Sequence, residues 1–414
     1  VFSKDTYAPL EHARRLGDAG MPGRAASVLD WLESYTPLKD KQRAAIALEK
    51  LHYYRQAVES AGPSLDHGLL FHAQKEFHIA IHEWPRGPRA YIEQAAIWRR
   101  YDNDDYAARM LRSLHHSSPD AATIDALAQC RPETTRQPPV EASPEWSGTK
   151  PAPRVLVLTH DFSDYGMDTL YDGLCQVLGA ENVVEYPWKP TLHGQNKEAA
   201  VSYPCWFEYP GELRTVDELV SELREGRFDL IVFADFVQMN KRDTVLRMLD
   251  AAPDLPVVVY DPWDDGSATQ DSARAYLGGR EIAVYFKREM LACLEYGPNA
   301  YPLPFGYPDC HVPRTLPTQR ATDLFWAGKR LFGTRSLYLD HLNAVLGRTL
   351  DQKLTQDEYR RAISGARVGL SFFGFGFDTV RYWELAAHGC MILAERPLVR
   401  IPFNFIEGES AVFF

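Results

Sequence analysis

A chain of 414 residues with a hydrophobic fraction of 45% is long enough for two to three domains with a sizeable core. Its formal net charge of −11 has the wrong sign for a protein whose main partner is a nucleic-acid backbone, so we expect no nucleic-acid partner. The best apolar runs, Leu230–Phe233 and Pro256–Tyr260, are far shorter than the ~20 residues that cross a bilayer. Residues 1–9 lack the pattern of a secretory signal. We therefore expect a cytoplasmic protein without a transmembrane segment.

The cysteines are scattered and contain no CxxC pair, whereas zinc sites and disulfide frameworks need clustered cysteines. We expect reduced thiols, in keeping with a cytoplasmic location. The six are Cys130, Cys175, Cys205, Cys293, Cys310 and Cys390.

Residues 1–130 are predicted to be helical and to contain an internal repeat. Ala25, Ala73 and Ala107 each lie 12 residues before a proline, and the last two are 34 residues apart, the period of a tetratricopeptide (TPR) hairpin. The first two are 48 residues apart, so the repeat is irregular. We predict a TPR-like domain whose concave groove binds a protein acceptor or another partner. The proline-rich segment 131–153 that follows is predicted to be a linker.

After the linker the pattern changes to short apolar runs that alternate with amphipathic segments, which indicates parallel α/β structure. We predict one Rossmann-like domain over 154–315 and a second over 316–414. The strands predicted in the first are Arg154–Thr159, Val183–Tyr186, Leu230–Ala234, Val257–Tyr260 and Ile282–Phe286; those in the second begin at Leu324, Val368 and Cys390.

A glycine-rich segment between a predicted strand and a predicted helix is the best candidate for a ligand site. Gly374 and Gly376 allow backbone N–H groups to approach a ligand, Asp378 or Thr379 caps the helix, and the helix N-terminus favours a phosphate. Glu384 would accept hydrogen bonds from ribose hydroxyls. The alternative is a glycine-rich helix cap without a ligand. The residues predicted to bind here are Gly374, Gly376, Phe377, Asp378, Thr379, Arg381 and Glu384.

This segment resembles the nucleotide-sugar site of glycosyltransferases in the group that includes spore maturation protein CgeB, distant relatives of the family-four retaining enzymes. The resemblance extends over about 154–414. It implies the GT-B fold, in which two Rossmann-like domains face a cleft and the second holds the donor; here the TPR-like domain would precede them. Further segments that resemble this group are Phe286–Glu289, Pro302–Gly306, Leu393–Pro397, Ile401–Phe405 and Gly408–Phe414.

The chain departs from the family-four pattern at one position. Glu384 lies where that pattern has the second glutamate of a Glu-x7-Glu pair, the one that binds the donor ribose. The first glutamate would fall at Gly376, and Asp378 is the candidate to replace it as a catalytic residue. This departure weakens the expectation of a retaining mechanism. The chain also ends at Phe414, before the helix that crosses back to the first domain in complete GT-B enzymes, so it is either truncated or has a reduced second domain.

Basic residues after the strand near Leu324 match the position at which GT-B enzymes present cations to the donor pyrophosphate. These are Gly328-Lys329-Arg330, with Arg335, and Arg381 is a second candidate. The leaving nucleotide needs such charge where no metal is bound. The alternative is that these are solvated surface cations.

The loop after the first predicted strand of 154–315 is the candidate position for a catalytic base. His160 has a suitable intrinsic pKa and Asp161 could orient it; Asp164 and Asp168 are alternatives. A lone histidine is more often structural than catalytic. Further carboxylates at predicted strand ends, which a turn would equally explain, are Asp235, Asp261, Asp264 and Asp265.

Asp102-Asn103-Asp104 spells the DxD motif with which the other glycosyltransferase fold binds manganese. We reject it as a metal site, because it lies in a predicted turn between two repeat helices, where these residue types are expected. We expect neither metal nor cofactor, and a nucleotide sugar, of which a UDP-sugar is the first choice, as the donor substrate.

The sequence therefore predicts a metal-independent glycosyltransferase. Its acceptor would be a protein, such as flagellin or another surface protein, or a saccharide. Two alternatives remain at this point: an inactive transferase fold that acts as a TPR scaffold, and a sugar-nucleotide epimerase with the same architecture. The donor sugar, the anomeric outcome and the oligomeric state stay open.

Overall fold

The structure, a computed structural model, describes residues 4–62, 65–131, 152–200, 205–234, 241–350 and 353–414. Most of the predicted linker and the candidate Asp235 lie outside these ranges. The chain divides into two compact units. The helical unit comprises Val1–Gln137, Ala327–Lys353 and Phe372–Phe375; the sheet unit comprises Pro138–Trp326, Leu354–Ser371 and Gly376–Phe414.

The helical unit contains eight α-helices among its described residues, and their starts follow local sequence signals. The side chains of Asp66, Asn103 and Asp120 each accept a hydrogen bond from a backbone N–H in the first turn of a helix. The helices are α1 (Lys4–Asp18), α2 (Pro22–Tyr35), α3 (Asp40–Ser60), α4 (His67–Glu83), α5 (Pro88–Arg100), α6 (Asp104–Ser117), α7 (Ala121–Ala128) and, later in the chain, α12 (Arg335–Leu346).

The repeat alanines Ala25, Ala73 and Ala107 are completely buried, as close helix packing requires. Ala107 lies in α6, which directly follows α5 in the chain. None of the helices in the described parts of the chain combines the length and the apolarity that a bilayer crossing needs.

The first sheet of the sheet unit has six parallel strands in the order β2-β1-β3-β4-β5-β6. Strand β1 lies between β2 and β3, so the direction in which strands are added reverses there. In open α/β sheets, ligands bind outside the carboxyl ends of the strands at such a switch point. The strands are β1 (Val155–Leu158), β2 (Val183–Tyr186), β3 (Leu230–Phe233), β4 (Val257–Asp261), β5 (Val284–Lys287) and β6 (Ala300–Pro302); the helices are α8 (Tyr165–Leu178), α9 (Val216–Arg224), α10 (Arg242–Ala251) and α11 (Gln270–Tyr276).

The second sheet has four parallel strands in the order β10-β9-β8-β7. Helix α14 packs closely on β8: a Cβ added at Gly369 would overlap the side chain of Leu385. The elements are β7 (Thr322–Phe325), α13 (Gln356–Ser364), β8 (Ala366–Ser371), α14 (Val380–Ala387), β9 (Met391–Ala394) and β10 (Ala411–Phe413).

The chain is therefore an α/β protein with a helical region, as predicted. Most predicted strands are present with shifts of one or two residues at their ends. Helix α8 starts at Tyr165, because Asp164 accepts a hydrogen bond from the N–H of Met167 at 3.0 Å and caps the helix. The short edge strands β6 and β10 and the helices α10 and α11 were not predicted.

Candidate functional site

His160 lies just beyond the carboxyl end of β1, at the switch point of the six-stranded sheet. Its ring is completely buried and stacks in parallel on Phe162, with the centroids 3.5 Å apart. Neither ring nitrogen has a hydrogen-bond partner in the described parts of the chain. Burial, and then the positive charge of Lys189, lower the pKa of His160 to about 3. The imidazole is therefore neutral at physiological pH.

The carboxylates next to His160 differ in their surroundings. Asp161 is exposed and forms an ion pair with Lys241 at 3.4 Å. Asp164 is the cap of α8 described above. Asp168 is buried and accepts a hydrogen bond from the buried Lys189 at 2.5 Å. Of the four residues predicted in this loop, two thus serve to hold the loop and α8.

A turn after β4 presents Trp263 on the same side of the sheet. The carboxylate of Asp261 accepts hydrogen bonds from the Lys287 ammonium at 2.7 Å, from the Tyr285 hydroxyl at 2.8 Å and from the backbone N–H of Trp263 at 3.1 Å. The Trp263 ring lies 6.3 Å from that of His160. Its indole N–H is buried and has no acceptor among the described residues. Asp261 is thus part of a turn, and the turn places an aromatic ring beside the candidate base.

Asp378, predicted both as a catalytic residue and as a donor ligand, has its carboxylate fully engaged. One oxygen accepts a hydrogen bond from the Phe305 N–H at 2.7 Å and the other from the Trp383 indole at 2.8 Å. Its backbone carbonyl accepts from Arg288 at 2.6 Å. Burial raises the pKa of Asp378. In this arrangement the side chain joins the loop before α14 to the segment after β6.

The N–H groups that the sequence predicted for phosphate donate to a carboxylate of the protein. The N–H groups of Phe377 and Asp378 both donate to Glu289, at 3.0 Å each. A Cβ at Gly376 would lie 2.5 Å from an oxygen of Glu289 and 2.5 Å from an oxygen of Asp264. The glycine is therefore required for this close approach. Burial is the main cause that raises the pKa of Glu289 to about 7.

Arg288 is the cation at the centre of this cluster. Its guanidinium forms ion pairs with Glu289, at 2.9 Å, and with Asp264, and donates to the carbonyl of Pro262 at 2.6 Å. It is 2% exposed. Because Asp264 follows β4, Arg288 follows β5 and Asp378 precedes α14, the cluster ties the six-stranded sheet to the helix of the four-stranded sheet.

Glu384 and Arg381, both predicted to bind the donor, meet at Tyr359 of α13. The Tyr359 hydroxyl donates to Glu384, and the Arg381 guanidinium donates to that hydroxyl at 3.4 Å. Glu384 is 8% exposed, and burial raises its pKa. Thr379 lies at the N-cap of α14 and its hydroxyl is 3.1 Å from that of Ser371.

The remaining predicted donor residues, Gly328, Lys329, Arg330 and Gly374, belong to the helical unit. Gly328 has a φ of +150°, Lys329 is exposed and Arg330 forms an ion pair with Asp340 of α12.

Arg335 holds this segment from the first residue of α12. It donates to the carbonyl of Lys329 at 3.0 Å and to that of Phe372 at 3.1 Å. Its charge is thus engaged with the backbone of two segments of the helical unit.

The DxD triplet lies in the turn between α5 and α6. Asp102 has a φ of +54°, Asn103 caps α6 through the N–H of Tyr106, and Asp104 accepts from the N–H of Arg131 at 2.9 Å. These are turn and capping roles.

Sequence reasoning assigned no role to Arg288, Glu289, Lys189 or Tyr359. The triplet Lys287-Arg288-Glu289 was a usable signal, since three charged residues at the end of an apolar strand have to find partners when that end is buried. Tyr359 had no such signal, because its contact with Glu384 depends on how α13 and α14 pack.

No protein-family model matches the chain, and no curated protein is significantly similar to it. Among solved structures, a mutant O-GlcNAc transferase from Thermobaculum terrenum matches 96% of this chain and 76% of its own, at 14% identity and a TM-score of 0.26. Full-length LpoA from Haemophilus influenzae matches 94% of this chain and 67% of its own, at 10% identity and a TM-score of 0.16. TM-scores this low do not establish a shared fold.

Proposed function

We propose that the chain is a metal-independent glycosyltransferase of the GT-B kind, which transfers a sugar from a nucleotide-sugar donor to a protein or saccharide acceptor. The observation that carries the proposal is the contact of the buried Glu384 with the half-buried Tyr359 and Arg381 beside the start of α14. A carboxylate is costly to bury unless it is paired or hydrogen-bonded. Recognition of the hydroxyls and phosphates of a nucleotide explains the presence of these residues there.

In this proposal Glu384 accepts hydrogen bonds from the donor ribose, and Arg381 contributes positive charge. Lys329 and Arg330 supply further cations for the pyrophosphate, whose charge increases as the bond to the sugar breaks. Gly328 and Gly374 would allow the backbone to approach the donor, whereas the space at Gly376 is taken by Glu289 and Asp264.

His160 would act as the base that deprotonates the acceptor. A base must carry a free lone pair at neutral pH and lie at the ligand-binding edge of its sheet. The lowered pKa keeps the ring of His160 neutral but also makes it a weak base, so the bound acceptor and donor would have to raise that pKa for the proton transfer. Asp161 is the exposed carboxylate next to it.

The helical repeat would recruit the acceptor or a partner. A concavity of about 540 Å³ lies between α3, α5, α6 and α7 in the helical unit. It is lined by both arginines and carboxylates, which suits a polar peptide better than an apolar one. Its charged lining residues include Arg55, Glu59, Glu93, Arg100, Asp104 and Arg131. Nucleotide sugars would be available to such an enzyme in the cytoplasm.

Donor turnover tests the proposal. Without an acceptor, a glycosyltransferase transfers the sugar slowly to water, so sugar nucleotides of UDP, GDP, dTDP, ADP and CMP are incubated with the protein and nucleotide release is followed by chromatography. We expect release from one of them, and at least a tenfold loss of release in Glu384→Gln, which keeps the shape but removes the charge.

The matched control is Glu295→Gln, at a glutamate whose side chain is 93% exposed. Its rate should equal that of the parent. No release from any donor, or equal losses in the two variants, would contradict the proposal.

The environment of Glu289 favours a second candidate, a scaffold with a transferase fold. Its carboxylate already accepts hydrogen bonds from the N–H groups of Phe377 and Asp378, so these are engaged without any phosphate. Absence of nucleotide binding in a folded protein that still binds an acidic or basic peptide through the helical repeat would favour this function.

A further inference from the structure

One histidine of the helical repeat contacts a segment that the proposed function assigns to the donor. The Nδ1 atom of His78, in α4, lies 3.0 Å from the backbone N–H of Gly333. Both residues belong to the helical unit, and His78 is 6% exposed. The segment 328–334 contains no helix or strand, so its conformation depends on contacts of this kind.

Hydrogen bonds among buried side chains hold the ring of His78. A backbone N–H can only donate, so Nδ1 of His78 accepts from Gly333. Nε2 of His78 lies 3.0 Å from the side-chain amide of Gln74. The amide oxygen of Gln74 accepts a hydrogen bond from the Gln94 amide at 2.9 Å. A buried relay thus runs from α5 through α4 to the Gly333 backbone.

His78 also contacts the second segment assigned to the donor. Its ring centroid lies 5.1 Å from that of Phe375, which follows Gly374, and the ring of Phe71 lies 5.9 Å from Phe375 on the same helix face. Gly333 itself has a φ of +56°, and a Cβ there would lie 3.4 Å from the carbonyl oxygen of Phe373. The two segments therefore pack on each other as well as on His78.

We propose that His78 is a positioning residue, through which the helical repeat holds the segments 328–333 and 372–375 in the conformation that contacts the donor pyrophosphate. The effect on donor binding rests on the proposed function, whereas the contact between His78 and Gly333 does not depend on it. It gives the repeat a second role beyond recruitment: the side chains that would contact the donor phosphates are held by α4 and α5.

Other contacts in the same region act on different atoms. Arg335 holds the carbonyls of Lys329 and Phe372, and Arg330 is paired with Asp340. His78 bonds the backbone of Gly333 and also touches Phe375. Its replacement should therefore alter both segments without removing any charge assigned to the donor.

Hydrogen exchange tests the contact without any ligand. In His78→Leu we expect at least tenfold faster exchange in a peptide spanning 328–335, because the Gly333 N–H loses its acceptor. His78→Asn, which can place an oxygen near the position of Nδ1, should restore most of the protection. The control is His82→Leu, at an exposed position one turn further along α4. Unchanged exchange in His78→Leu, or the same increase in both leucine variants, would overturn the inference.

Nucleotide binding tests the consequence. For the base that the protein binds, the ratio of affinities for the nucleoside diphosphate and monophosphate reports contacts to the outer phosphate. We expect His78→Leu to lower the diphosphate affinity about tenfold and to leave the monophosphate affinity unchanged. Glu384→Gln should lower both and keep the ratio.

The outcomes separate the two proposals. If the parent binds no nucleotide, the proposed function fails, and the exchange experiment still decides whether His78 positions the segments. If the parent binds nucleotides and the ratio in His78→Leu is unchanged, the function stands and the positioning role is overturned.

Discussion

His160 and Asp378 were both predicted as catalytic residues, and their surroundings are opposite. His160 is buried at the switch point of the six-stranded sheet, with no partner for either nitrogen among the described residues. Asp378, in the loop before α14, has a donor for each carboxylate oxygen and a third contact to its backbone. Buried polar groups are normally satisfied, so an unsatisfied one needs an explanation, and reaction with a ligand is such an explanation.

The comparison shows that proximity to a glycine-rich loop does not make a carboxylate a ligand-binding group. The loop before α14 is filled by Glu289, Asp264 and the cation Arg288, so Asp378 is one member of a closed cluster. The carboxyl end of β1 is different: Asp168 and Lys189 form a buried ion pair there, and the ring nitrogens of His160 and the indole N–H of Trp263 have no hydrogen-bond partner among the described residues.

The largest effect expected from this comparison is on stability. Asp378→Ala leaves the Phe305 N–H and the Trp383 indole without acceptors and reduces the negative charge around Arg288. We expect the free energy of unfolding to fall by about 3–5 kcal/mol, measured by urea denaturation. The matched variant is Asp161→Ala, at an exposed carboxylate, which should change it by no more than about 0.5 kcal/mol. Equal effects in the two variants would show that Asp378 is not a structural anchor.

An intermediate effect on stability is expected when alanine replaces a glycine at a helix–sheet contact. Gly369→Ala places a Cβ against Leu385 and should destabilise the protein by about 1–3 kcal/mol, because α14 has to move away from β8. Gly173→Ala, in α8, meets nothing within 4 Å and should stabilise by about 0.5–1 kcal/mol. Thermal or urea denaturation of both variants measures the difference. Stabilisation by Gly369→Ala would mean that α14 packs more loosely than described.

The smallest effect on the free energy of unfolding at neutral pH is expected at His160. Its contribution becomes visible when the pH is lowered. The pKa of His160 is about 3 in the folded protein against an ordinary 6.5, so between these values only the unfolded chain binds the proton. The free energy of unfolding should therefore fall as the pH is lowered from 6.5 towards 3. In His160→Phe this contribution is absent and the decline should be shallower. An identical pH dependence in parent and variant would contradict a buried neutral ring.

Much of the secondary structure was predictable, because apolar runs such as Val155–Leu158 and the caps at Asp66 or Thr355 are local signals. The short edge strand Ala300–Pro302 lacks such a run and was missed. At the candidate site, Glu384 and His160 were predicted from motif and position. Tyr359, which bonds Glu384, and Lys189, which bonds Asp168, were not, because these contacts join residues more than 20 positions apart and exist only after packing.

The central claim is that the residues of α14 bind a nucleotide, and titration calorimetry tests it most directly. Purified protein is titrated with UDP, GDP, dTDP, ADP and CMP, and the titration is repeated with Glu384→Ala. We expect one nucleotide to bind in the micromolar range and the variant to lose at least tenfold in affinity. If a folded parent protein binds none of the five, or if Glu384→Ala binds as tightly as the parent, the account of this site is wrong.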